Sequence, residues 1–106
     1  MKVMFGLVLA CLLPATALAQ VVNEGEEIAR RWCSTCHQVE PQPRRESDAI
    51  PSFSAIAQMP STTETSLMVF LSSTHGGMPD YSLSRTEIRN VSAYILSLKT
   101  LPQTGR

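Results

Sequence analysis

Residues 32–37 read Trp32-Cys33-Ser34-Thr35-Cys36-His37, and the last five of them decide how the rest of the chain is understood. Two cysteines are separated by two residues, and a histidine follows the second directly. Thiols at this spacing add across the two vinyl groups on one edge of a porphyrin, with the intervening pair spanning that edge in one helical turn. The next residue then swings under the ring, which brings His37 to the iron as proximal ligand. The motif therefore predicts one haem c, bound covalently through Cys33 and Cys36. Two rival chemistries use the same atoms. A thioredoxin-like C-x-x-C belongs beside a βαβ pattern, and none is present. A zinc site from Cys33, Cys36 and His75 needs a fourth placed ligand, and His37 is too close to Cys36 to close a tetrahedron easily.

The start of the chain bears on the same question. Lys2 is followed by an apolar stretch over residues 3–13, then Pro14, then Ala17-Leu18-Ala19. A short positive region, an apolar run and small residues two apart form the pattern of a secretory signal peptide. The run is shorter than the roughly 20 residues that a spanning helix requires. Cleavage is expected after Ala19, dividing the chain into a leader, 1–19, and one domain, 20–106. Cys11 also allows a lipoprotein reading, although Val8-Leu9-Ala10 before it fits poorly. Export suits the motif, because thioether-linked haem is assembled outside the cytoplasm. Removal of the leader leaves two cysteines, three positions apart, whose disulfide would constrain almost nothing. A small exported domain without a useful disulfide needs another source of core, and a large apolar cofactor supplies it.

The remaining sequence is patterned for helices and shows no alternating strand pattern. A first helix is expected over 24–33, with Asn23 as N-cap, acids in the first turn, and Ile28 and Trp32 on one face. A proline-rich polar loop covers about 38–51, and residues 52–58 suit a short helical turn. A second clear helix is expected over 63–73, capped through Ser61 and Glu64 or by Thr62, with Leu67, Phe70 and Leu71 in one stripe. The last helix opens on the capping box Ser84/Glu87 and lines Ile88, Val91, Ile95 and Leu98 on one face. Pro102 follows its end.

With these features in place the chain resembles the small class I c-type cytochromes, monohaem proteins, over nearly all of its mature length. Gly25 lies eight residues before Cys33, as the glycine of that family's first helix does. Tyr94, in Ala93-Tyr94-Ile95-Leu96-Ser97, matches the aromatic of the last helix that packs near this glycine. Gly76-Gly77-Met78-Pro79, with Ser84 six residues past the methionine, is similar to the loop carrying the distal iron ligand. Position 29 departs from the pattern, since many members have an aromatic there and this chain has Ala29; Trp32 is a candidate to replace that bulk. The resemblance implies an all-α cytochrome c fold, three to four helices around one covalently bound haem.

It also bears on the sixth ligand. Met78, in a glycine loop where backbone can approach the ring closely, is the first candidate, making a His37/Met78 iron. Met59, beside Pro60, and His75 are rivals, whereas Met68 falls inside a predicted helix. The family turns the proximal histidine with a proline carbonyl, which points to Pro51, with Pro41 and Pro43 as alternatives. Phe53, Ile56, Leu67, Phe70, Leu71 and Leu83 are candidates for the haem pocket or core.

Two strong axial ligands leave no open coordination position, so the expected role is one-electron transfer without turnover of a substrate. The expected partners are a redox protein donor and acceptor. The mature chain is not expected to insert stably in a membrane. The expected location is a periplasm. A haem-bearing subunit of a periplasmic dehydrogenase complex is the alternative, and a sensor or peroxidase with a labile Met78 is a third reading. The mature chain carries eight Arg and Lys against nine Asp and Glu, which does not make a nucleic-acid-binding face. Arg30-Arg31 and Arg44-Arg45 are candidates to steer an acidic partner.

Overall fold

The computed structural model describes residues 13–41, 49–74 and 77–99. These form α1 (Leu13–Ile28), a π-helical turn (Ala29–Cys33), α2 (Phe53–Gln58), α3 (Glu64–Leu71) and α4 (Arg85–Ser97). No strand occurs among the described residues, in keeping with the all-helical pattern of the sequence.

The first helix is already formed at Leu13, the first described residue, well before Glu24, and Asn23 lies in its interior instead of capping it. Ala and Leu, strong helix formers, dominate residues 15–19, and neither Gly nor Pro interrupts the ladder between them and Glu24. Side chains 15–20 are all exposed, and packing starts only at Val22. The helix then changes pitch. Ser34 N–H donates to the Ala29 carbonyl, five residues back, at 3.1 Å. Such π turns occur mostly singly and often beside functional sites. This one carries Cys33 into the core, where it is 7% exposed.

The contact between α1 and α4 is the most extensive in the fold. It is close because position 25 has no side chain: a Cβ there would lie 1.9 Å from the Asn90 carbonyl oxygen and 3.0 Å from the Tyr94 Cβ. The Asn90 side chain donates to Glu24 at 2.8 Å across the same crossing. The Tyr94 ring is buried beside it, and its hydroxyl donates to the Val39 carbonyl. Trp32 does not supply the bulk absent at Ala29. Ala29 is fully buried, while Trp32 is 39% exposed and outside the core to which Ile28 packs.

The capping box of α4 is as the sequence implies. Glu87 N–H donates to Ser84 Oγ at 3.2 Å, and Ser84 N–H donates to Glu87 Oε2 at 2.7 Å. On α3 the cap is Thr63, not Ser61 or Thr62. Ser66 takes the reciprocal place usually held by Glu or Gln, and its Oγ accepts from Thr63 N–H at 2.9 Å. Thr62 is instead buried, and its hydroxyl donates to the Ile56 carbonyl. The helix ends at Leu71, and the Ser72 and Ser73 hydroxyls turn back onto the Met68 and Val69 carbonyls. Ser52 caps α2 by accepting from Ala55 N–H at 3.0 Å.

Candidate functional site

The π turn delivers Cys33, and a tight bend follows it: His37 N–H donates to the Cys33 carbonyl at 2.8 Å. Cys33, Cys36 and His37 thereby face one cavity of about 670 Å³. It is also lined by Met59 just after α2, by Ser61, Thr62, Leu67 and Phe70 on and before α3, and by Gly77, Met78 and Pro79. Pro51 and Ile50 close one edge, and Trp32 and Tyr81 another. The volume lies in the ordinary range for cofactor and ligand sites.

The lining is mainly apolar, and its rim holds several large apolar side chains that are partly exposed: Trp32, Ile50, Met59, Phe70 and Tyr81. Exposed apolar groups gathered around one cleft mark a binding site. A large flat apolar group seated here would cover them. The donor set fits the same group, with two thiols, an imidazole and two thioethers lining one cavity. The cavity therefore suits a haem c.

The geometry at His37 fixes its tautomer. Nδ1 lies 2.7 Å from the carbonyl oxygen of Pro51. A carbonyl only accepts, so Nδ1 carries the hydrogen and Nε2 keeps its lone pair for a metal. A second bond ties the same strands of chain, because Phe53 N–H donates to the Gln38 carbonyl at 2.9 Å. The Phe53 ring packs behind the imidazole, 5.4 Å between centroids, and also meets Tyr94. Burial pushes the Cys33 thiol up to about 11, which keeps it neutral at physiological pH; Cys36 is exposed. No disulfide joins the two. Among the described residues no three His, Cys, Asp or Glu side chains gather as a metal cage.

Each sequence-derived candidate can now be placed. Cys33, Cys36, His37, Pro51 and Met78 line the cavity together. Ile56, Leu67 and Phe70 line it too, while Phe53 belongs to the core behind His37. Leu71 and Leu83 border a second, much smaller cavity with Cys33 and Val91. Met59 shares the large cavity with Met78, so proximity alone does not separate these two. Pro41 is exposed and outside the lining; His75, Pro43, Arg44, Arg45 and Cys11 lie outside the described residues. Arg30 is held by Glu26 at 2.6 Å and Glu40 at 3.5 Å, so its charge is largely balanced locally. Sequence reasoning had no signal for the contact of Trp32 with Tyr81, whose rings lie 5.2 Å apart between centroids.

Among the described residues no helix is long and apolar enough to cross a membrane. The profile of the family described as cbb3-type cytochrome c oxidase, subunit III, matches residues 20–95. Cytochrome c-552 of Bradyrhizobium diazoefficiens is 39% identical over 85 residues, 80% of this chain and 82% of that protein. No solved structure matches the chain.

Proposed function

Since the chain belongs to the c-type cytochromes, small electron carriers with the cytochrome c fold and one covalently bound haem c, we propose that it carries single electrons through a His37/Met78-ligated iron in the periplasm. The observation that carries this reading is the convergence of Cys33, Cys36, His37 and Met78 on one apolar cavity, with His37 already turned by Pro51.

The haem supplies a metal that alternates between ferrous and ferric states. The chain's own residues do the rest. Cys33 and Cys36 anchor the ring edge as thioethers. Pro51 holds the Nδ1 hydrogen of His37, so Nε2 faces the cavity in one fixed orientation. Met78, which lines the same cavity, would offer the iron a soft thioether, which would favour the ferrous state and raise the potential. Ile56, Leu67 and Phe70 keep water from the cavity and limit solvent rearrangement as charge changes. With His37 and Met78 both holding the iron, no position would remain for a substrate, and electron exchange would occur in a small, transient encounter with another redox protein.

Residues 1–19 act as the export signal in this reading. Cleavage after Ala19 removes residues 15–19 of α1, which are all exposed, with what precedes them, and leaves Val22, Gly25 and Ala29 in place. N-terminal sequencing of protein recovered from a periplasmic fraction would begin at Gln20. A different start overturns the processing site.

The optical spectrum of the ferric protein, with and without Met78→Ala, tests the ligation. A weak methionine-to-iron band at the red end, lost in the variant, is expected. Its persistence in Met78→Ala would transfer the ligand role to Met59, and its absence from the parent would exclude methionine altogether. The family description names an oxidase subunit, which favours a second reading in which this domain is the haem-bearing subunit of a larger redox complex. A stoichiometric partner through purification supports the subunit reading; a lone monomer supports the shuttle.

A further inference from the structure

Trp32 and Tyr81 belong to the two segments that the cavity separates. Trp32 lies in the last part of the π turn and directly precedes Cys33, which ends it; Tyr81 stands three residues beyond Met78. Their ring centroids are 5.2 Å apart with the planes inclined at 34°. Both rings line the cavity, and each is a little over one-third exposed. They therefore meet at a partly exposed part of the cavity lining, outside the core cluster.

The backbone between Tyr81 and α4 is shaped to present the ring. Ser82 has φ +51, in the left-handed region that residues other than glycine rarely enter. Ser82 N–H donates to Asp80 Oδ1 at 2.8 Å, closing a turn around Tyr81. Leu83 then enters the small cavity bordered by Cys33, Leu71 and Val91. The turn gives Tyr81 a fixed direction, and the Trp32 face is what it meets.

We propose that Trp32 and Tyr81 form an aromatic clasp that pins the Met78-bearing segment to the haem-attachment turn, so that both are positioning residues for the Met78 thioether. The clasp rests on the reading of Met78 as ligand only for its consequence at the iron. The clasp itself is a statement about the chain. Without it, the segment around Met78 would lose its aromatic contact with the haem-attachment turn and would open more often. Each opening would carry Met78 away from the cavity it shares with His37. Such pairs contribute modestly beyond their buried area, which suits a latch more than a fixed strut.

The test is backbone hydrogen exchange on the haem-loaded full chain, comparing the parent with Trp32→Leu, Tyr81→Leu and the double variant. The amides of Met78, Asp80, Tyr81 and Ser82 should exchange roughly three- to tenfold faster in each single variant. The double variant should be no faster than the faster single one, because either change already opens the clasp. Amides of α4 should keep parent rates, and Trp32→Phe and Tyr81→Phe should stay close to the parent. Parent rates in the single variants, or effects that multiply in the double, overturn the clasp. Should Trp32→Leu also loosen α4, Tyr81→Leu against Tyr81→Phe decides alone. On the same samples the red-end band should be weaker in the Leu variants than in the parent. A parent without that band refutes Met78 ligation, and the clasp is then still judged by exchange.

Discussion

Gly25 lies so close to Asn90 that a single added carbon would stand 1.9 Å from its carbonyl oxygen and 2.5 Å from its carbonyl carbon. Both obstacles are backbone, and the backbone of α4 cannot yield without moving the helix. Gly25→Ala is therefore expected to cost at least about 1–3 kcal/mol, despite the better helix propensity of alanine. Urea unfolding followed by far-UV circular dichroism should show a lower midpoint at an unchanged slope. A loss below about 0.5 kcal/mol, the size of an ordinary surface change, would mean the helices separate easily here.

Tyr94 joins the same crossing to the segment after His37, through its bond to the Val39 carbonyl. Tyr94→Phe keeps the ring and removes the donor from a buried acceptor, for an expected loss of about 1–3 kcal/mol. Burial, reinforced by Glu26, also holds the phenol above its ordinary value of 10.0. An unfolded tyrosine ionises first, so this contribution is full below the ordinary value and declines as pH rises through it. The alkaline decline in melting temperature should be shallower in Tyr94→Phe; equal slopes would remove the phenol from the account.

Glu87 works in the opposite pH direction. Its carboxylate is held below the ordinary value of 4.5, first by the Ser84 backbone N–H and then by the Ser84 side chain. The stability this gives is present above the ordinary value and lost as pH falls through the lower native one. Glu87→Gln retains the shape of the capping box without the charge. The gap in melting temperature between parent and variant should narrow on acidification and close once both states are protonated. A constant gap would assign the effect to the hydrogen-bond geometry alone.

What the sequence made legible was what local chemistry determines. C-x-x-C-H, Gly25 with Tyr94, and the Ser84/Glu87 box are each set by spacing within one or two elements. The errors came where several local solutions compete. Ser61, Thr62 and Thr63 can all cap a helix, and the choice fell to Thr63 because Thr62 was drawn inward to Ile56. The π turn leaves no mark in a 3.6-residue pattern, and the Trp32–Tyr81 contact spans 49 positions of sequence. Both depend on how α1 and the segment before α4 come together, which periodicity does not encode. The early start of α1 reflects helix propensity acting where packing is silent, since residues 15–20 bury nothing.

Pro51 offers a test of how the chain tunes the iron. Its carbonyl takes the Nδ1 hydrogen of His37 at 2.7 Å, and such a bond raises the basicity of the ligating Nε2. A more basic imidazole favours the ferric state, so under the proposed His37/Met78 ligation this contact would lower the potential while Met78 would raise it. Pro51→Gly keeps a carbonyl at the position but frees the backbone that aims it. The midpoint potential of the variant should rise, by up to about 60 mV for a tenfold change in the balance of the two oxidation states. The red-end band should remain, because Met78 is untouched. Loss of the band would show that the mutation disturbs Met78 as well. An unchanged potential with the band intact would show that the Pro51 contact orients His37 without altering its donor strength.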